Sequence, residues 1–296
     1  MIWTGQRERG SALMLGIMVW IVRHLGWHIG QALLYPITLW FYAGSATARA
    51  ASRDYLARVL GRPARQWDVM RHLFTFACVI LDRVFFLTGR TAQYELRVQG
   101  LDAVTDIVNA GRGCILLGSH LGSFDVLRAF GRTAPVRVSP VMFRHNSGHL
   151  TRMLEQLDPE LACDVIDIGA PEAMLRVHDC ISRGEIVGFL ADRAPTQDRM
   201  VAVPFLGGVA DFPAGPLALA SVIDAPVVLF YGVRAAPRRY VIRFERFADR
   251  IALPRGGRDA ALRGWVEAYT RSLETACRAH PYNWFNFFAF WKPVHG

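Results

Sequence analysis

The stretch LLGSHLGSFDVLRAF, residues 116–130, sets His120 at the end of an apolar run and Asp125 five positions later. A carboxylate beside an imidazole fixes the ring tautomer and steadies the imidazolium, which makes the pair a general base suited to deprotonating a hydroxyl. On one continuous helix, side chains five apart are separated by about 140° and do not share a face. His120 must therefore precede the helix. GCILLGSH reads as a buried strand ending at Gly118-Ser119, and Gly122 permits a sharp turn with positive φ. Ser123 then serves as a helix N-cap and Asp125 falls in the first turn, where exposed amides favour its charge. With the chain bent between them, the Asp125 carboxylate can swing back to the ring. The spacing alone is weak, since it arises about once by chance in a chain with nine histidines. Position strengthens it: of those histidines only His120 has an acid at this distance, and it ends a strong apolar strand, where open α/β sheets place their sites.

The elements that must position these residues follow from the pattern of the 296-residue chain, which is long enough for a large α/β core. Short β-branched runs (RVQG, GCILLGSH, VRVSPVMF, DVIDIG, EIVGFLAD, VAVPFLG, APVVLFYGV and RYVIRFERF) have helical segments between several of them. The expected helices cover 101–110, 123–132, 148–156, 171–183, 213–222 and 258–279, after an Arg-rich helical stretch over 47–90. Such alternation implies an α/β fold with a mixed, largely parallel sheet flanked by helices. No repeat or linker divides the chain, so the expected organisation is an N-terminal apolar helical membrane element over 1–46 and one α/β domain over 47–296.

Composition narrows the partners. The net charge is +9, yet 52% of residues are hydrophobic, a mixture that argues against a nucleic-acid partner and suits an anionic membrane surface. Lys292 is the one lysine among 34 basic residues, so the positive charge is almost all guanidinium. Biased codon usage explains that equally well. Residues 11–43 carry a single full charge, Arg23, and are rich in Trp and Tyr. The apolar stretch before Arg23 is shorter than the roughly 20 residues a span requires. One or two helices lying in or dipping into the cytoplasmic leaflet fit better, with Arg7, Arg9, Arg23, Arg49 and Arg53 at the headgroups and His24 and His28 at the interface. A single span through Arg23-His24 and a buried pair of core helices are the alternatives. A cleavable signal peptide fits poorly, because its small-residue site near position 46 lies too far on. The five cysteines, Cys78, Cys114, Cys163, Cys180 and Cys277, are scattered without a CxxC or Cys/His cluster, which points to a reducing compartment and no metal site. His145, His149 and His178 likewise have no partners at ligand spacing.

GSHLGSFDVLRA resembles the H-x4-D/E block of the bacterial lipid A biosynthesis acyltransferases, relatives of the lysophospholipid and glycerophosphate acyltransferases. The apolar N-terminus, RGEIVGFLADRAP, VAVPFLGGVADFPAGPLALA and a late HPYNWFNFFAFW follow in the family's order, so the resemblance covers most of the chain. Within the family the chain looks closest to relatives found alongside aryl-polyene lipid biosynthesis. The resemblance implies a glycerolipid-acyltransferase-like fold on the cytoplasmic face of the bacterial inner membrane. It implies transfer of an acyl chain from an acyl thioester, acyl carrier protein or coenzyme A, to a hydroxyl of a membrane lipid acceptor, with no cofactor and no covalent enzyme intermediate. His120 would be the base and Asp125 its orienting partner. Backbone amides around Gly118 to Gly122, or at the following helix start, would meet the oxyanion. Ser119, Gly122 and Ser123 would line the substrate. Asp192 and Arg193, ending EIVGFLAD, would position substrate at the same sheet edge, where a solvated ion pair is the plainer reading. Pro204 and Gly207 form a turn beside them, and Pro213 with Gly215 opens a helix whose free amides could hold a phosphate. Ordinary turn chemistry accounts for these four equally well. Two departures bear on the acceptor: the family block runs closer to D-Q than Asp192-Arg193, and NWFNFFAFW lacks the usual basic W-x-x-R/K-R pattern. The aromatic run Trp284 to Trp291 reads as a membrane-facing or acyl-contacting rim.

Two other classes compete. A serine hydrolase or thioesterase would use Ser119 or Ser123, but GSHLG and HLGSFD do not form a G-x-S-x-G elbow, and only His280 and His295 remain late enough for its triad. A non-catalytic membrane lipid-binding protein would keep the fold and tolerate loss of His120.

Overall fold

A computed structural model of the chain describes residues 12–131, 138–142, 165–194 and 198–292. The helix expected at 148–156 lies outside the described residues, as do Arg7, Arg9, His145, His149 and Cys163. Arg23 and His24 are described in their backbone alone.

Three helices precede the first strand: α1 (Ala12–Gly44), α2 (Ala46–Leu60) and α3 (Gln66–Leu87). The Arg-rich stretch is two helices because Gly61, in the left-handed region, closes α2. Then come β1 (Glu95–Gln99), α4 (Asp102–Asn109), β2 (Cys114–Gly118), α5 (Val126–Gly131), β3 (Val138–Met142) and β4 (Ile166–Asp167). The remainder is α6 (Ala173–Ser182), β5 (Ile186–Leu190), β6 (Met200–Phe205), β7 (Gly208–Pro213), α7 (Gly215–Val222), β8 (Val227–Ala236), β9 (Arg239–Ala248) and α8 (Arg258–Ala279).

Seven of these strands form one sheet in the order β1-β9-β8-β2-β5-β3-β4, parallel at every described pairing except the β8–β9 hairpin. The expected strand VAVPFLG leaves this sheet. It is β6, paired antiparallel with β7 across a two-residue turn in which Leu206 and Gly207 both have positive φ. Such a turn is the reason for a glycine at 207.

β2 is buried along its whole length because it lies between β5 and β8 with helices on both faces. Its side chains alternate between two cores: Ile115 and Leu117 join one cluster with residues of α2, α6, α7 and α8, whereas Cys114 and Leu116 join the other with α4 and α5. Truncating any one of these leucines or isoleucines to alanine should cost about 2–5 kcal/mol. α3 contributes to both layers, with Val69 and Leu73 in the first and Leu81 to Leu87 in the second, so it passes from one face of the sheet to the other.

α1 is bent at Gly26 (φ 79°), three residues beyond the expected break at Arg23. Beyond the bend it buries Trp27 and Leu34 against the rest of the protein and leaves Ile29, Tyr35, Leu39 and Trp40 exposed. Among the described residues no helix is long and apolar enough to cross a membrane. Arg49 donates to the carbonyls of Tyr42 and Ala43, where it closes the end of α1.

Candidate functional site

β2 and β5 are adjacent and parallel, with Gly118 level with Leu190. Two residues further along each strand stand His120 and Asp192, so the register brings them to the same height although 72 positions separate them. His120 Nδ1 lies 2.8 Å from Asp192 Oδ1, and the His120 backbone N–H donates to the same oxygen at 3.0 Å. Asp192 Oδ2 accepts from Arg193 Nη2 at 2.9 Å and from the indole Nε1 of Trp284 at 3.0 Å. The carboxylate is fully buried, while the His120 side chain keeps 38% of its surface.

The electrostatics follow from these contacts. Burial alone would push the Asp192 carboxyl up, but the charges of His120 and Arg193 and their hydrogen bonds outweigh it and hold the group well below the usual carboxylate range. It is therefore ionised and an acceptor only, so the Nδ1–H of His120 donates to it and Nε2 carries the lone pair. Burial of the ring, assisted by Arg193, lowers the His120 pKa against the opposing pull of Asp192. The exposed edge screens that burial, unlike at His72, which is fully enclosed and falls to about 4. A neutral imidazole held by a buried carboxylate, with an open edge at the C-terminal end of the sheet, has the arrangement that general-base chemistry requires.

The expected partner, Asp125, is engaged by another residue. Its Oδ2 lies 2.8 Å from Arg83 Nε of α3, an ion pair without hydrogen-bond alignment. α5 starts at Val126, so Asp125 sits in the bend ahead of the helix and not in its first turn. Ser123 is not an N-cap, since its hydroxyl has no partner among the described residues and its N–H donates to Gly232 O at 2.7 Å. The cause is a close backbone crossing: Gly122 has φ +75° and a Cβ there would meet Gly232 O at 2.0 Å, so the turn is pinned to β8. Three of the amides in the expected oxyanion region are committed, His120 N–H to Asp192, Gly122 N–H to Asn283 O and Ser123 N–H to Gly232 O. The hydroxyls of Ser119 and Ser123, both buried, have no hydrogen-bond partner among the described residues. Neither bonds a histidine, as a serine nucleophile would require.

Asp192 and Arg193 do reach the sheet edge with His120, and Arg193 also donates to Phe285 O at 3.1 Å and lies over the Phe288 ring. Pro204 and Gly207 belong to the exposed side of the β6–β7 hairpin, which connects to the dyad through Phe205 packed on Trp284. Pro213 ends β7 and Gly215 begins α7, but the amide end of that helix already faces a carboxylate: a Cβ on Gly215 would meet Asp198 Oδ1 at 2.8 Å. A phosphate there would be repelled. The aromatic run is only partly at the surface, through Phe287 and Phe288. Trp284, Phe285, Phe290 and Trp291 are buried, because the segment bridges to Leu121 and Ala210 and fills one of the two cores. Trp284 and Arg83, which touch the two aspartates, had no local signal: each meets its partner across the fold.

Among the described residues no cluster of His, Cys, Asp and Glu could hold a metal ion. None of the curated proteins compared with the chain matches it. A family model does: the one described as bacterial lipid A biosynthesis acyltransferase matches residues 8–292, nearly the whole length. On that match the chain belongs to the bacterial lipid A biosynthesis acyltransferase family, and His120 beside a buried carboxylate at the end of a mostly parallel sheet is the site it carries forward for a functional reading.

Proposed function

We propose that the protein moves an acyl chain from an acyl thioester, with acyl carrier protein as the donor, to a hydroxyl of a membrane lipid or glycolipid. The observation that supports this best is the His120–Asp192 contact at 2.8 Å on a ring that stays partly open. His120 Nε2 takes the proton of the acceptor hydroxyl as its oxygen attacks the thioester carbonyl. The tetrahedral intermediate collapses, the C–S bond breaks, and the imidazolium returns its proton to the leaving thiolate. Asp192 stabilises the imidazolium between these steps. The Ser119 and Ser123 hydroxyls are among the donors the turn can still offer to the oxyanion. Transfer is direct, without an acyl-enzyme and without a cofactor.

The test is thiol release from dodecanoyl thioesters of acyl carrier protein and of coenzyme A, over vesicles of bacterial inner-membrane lipid. His120→Ala should lower turnover about 10²-fold or more while leaving folding intact. Near-normal turnover in the folded variant would sink the mechanism.

In the same reading residues 1–46 are the membrane-contacting element on the cytoplasmic face of the inner membrane, and 47–296 carry the chemistry. The support is the exposed apolar face of α1, Ile29, Tyr35, Leu39 and Trp40, with Trp67 and Arg53 also exposed nearby in the sequence. High salt should detach the protein from anionic vesicles only in part, because screening leaves apolar insertion untouched. Complete release by salt would contradict insertion.

A further inference from the structure

Three successive residues of the C-terminal segment grip the His120 turn. Gly122 N–H donates to Asn283 O at 2.8 Å, Phe285 N–H donates to His120 O at 2.9 Å, and between them the Trp284 indole reaches Asp192 Oδ2. Trp284 is fully buried, and its own carbonyl accepts the Nε2–H of His72 at 2.9 Å. His72 is neutral, so its Nδ1 accepts the Ser52 hydroxyl proton at 2.8 Å. A chain of hydrogen bonds thus runs from Ser52 on α2 through His72 on α3 and Trp284 to the carboxylate that holds His120. A buried tryptophan needs some acceptor for its N–H. Here the acceptor is the outer oxygen of the carboxylate whose inner oxygen holds the base.

We infer that Trp284 is a positioning residue for the acyl transfer proposed above: its indole N–H fixes the plane of the Asp192 carboxylate and draws negative charge away from the oxygen facing His120, with His72 and Ser52 holding it in place. The inference rests on that proposed function for its effect on turnover but not for its effect on the ring. The charges facing His120 are Asp192, Arg193 beside it, and Arg83 of α3 with Asp125 next to that guanidinium. All of them survive removal of one indole N–H. The carboxylate would then concentrate more charge on Oδ1, favour the imidazolium, and move the His120 titration to higher pH.

The experiment places a benzothienyl isostere, with sulfur in place of N–H, at position 284 of the full chain. The His120 ring is titrated by NMR in detergent micelles, and kcat and KM are measured with the dodecanoyl thioesters. The expected result is a His120 midpoint displaced upward and, because the untethered carboxylate no longer fixes the orientation of the ring, kcat lower by about 10-fold with unchanged KM. An unchanged midpoint in the folded isostere protein overturns the inference. His72→Phe should lower kcat at constant KM and His72→Gln, whose amide can still donate to the Trp284 carbonyl, should restore it. Equal activity of the two would overturn the relay even if the isostere did not fold. Should His120→Ala retain turnover, the proposed function fails, while the titration still decides whether Trp284 acts on the dyad.

Discussion

Asp82 and Asp192, two of the buried aspartates among the described residues, receive four hydrogen bonds each, two per oxygen, and of this pair only Asp192 holds an imidazole. Asp82 accepts from Trp27 Nε1 and the Tyr94 hydroxyl on Oδ1, and from the Tyr240 hydroxyl and Arg234 Nε on Oδ2, at 2.8–3.2 Å. Asp192 accepts from the His120 backbone and ring on Oδ1, and from Arg193 and Trp284 on Oδ2. Both sets contain a tryptophan and an arginine. The difference lies in the remaining partners. Burial and the Asp82 charge push the Tyr94 and Tyr240 phenols up, so these partners stay protonated, and both are enclosed. Asp192 instead holds an imidazole with an open edge. A buried carboxylate hub can serve chemistry when one of its donors is a titratable ring that can also be reached.

Separating the two hubs by mutation gives the largest effect on stability. Asp82→Asn should cost about 3–5 kcal/mol, because it strands Arg234 and weakens the junction of α1, α3, β8 and β9. Turnover per folded molecule should be kept. Chemical denaturation with activity normalised to folded protein checks both, and a loss of turnover without a loss of stability would erase the distinction between the hubs.

A smaller effect comes from His72, which lies behind the Asp192 hub and has no counterpart in the other. Its folded pKa of about 4 lies below the ordinary value near 6.5, so the unfolded chain binds a proton that the folded one refuses between those values. Stability should therefore fall as the pH drops from about 6.5 towards 4, by at most about 1.4 kcal/mol per unit, and be untouched by this group above 6.5. Asp192 is depressed, so its contribution is present above the unfolded carboxylate range and fades only at lower pH. Urea midpoints across that range should lose the slope in His72→Gln, and a slope that persists in that variant would assign it to another group.

Much of the fold was legible because it depends on local pattern. The five-residue apolar run of β2, the helix over 258–279 and the need for positive φ at Gly122 follow from composition and period, and the structure has them there. β7 was not legible, since GVADFP does not alternate and its pairing depends on the Leu206-Gly207 turn. The site was half legible. His120 announces itself at a strand end, whereas its partner is chosen by the level of β2 against β5, a register that no short spacing encodes. Asp125 drew attention because it is near in sequence, but the turn pinned at Gly122 and Gly232 delivers it to Arg83. Trp284 comes from 92 residues further along the chain than Asp192, and reading it as a membrane rim followed from composition that suits a core equally well.

The central claim is that His120 works with Asp192 and not with Asp125, and two conservative variants compared side by side test it directly. Asp192→Asn and Asp125→Asn each keep shape and remove one charge, and turnover is read as thiol release from the dodecanoyl thioester at equal amounts of folded protein. Asp192→Asn should lose about 10²-fold or more, since the amide no longer stabilises the imidazolium. Asp125→Asn should lose only a few-fold, since the ion pair it weakens is with Arg83 and not with the ring. The reverse order, with Asp125→Asn inactive and Asp192→Asn near normal, would contradict the account.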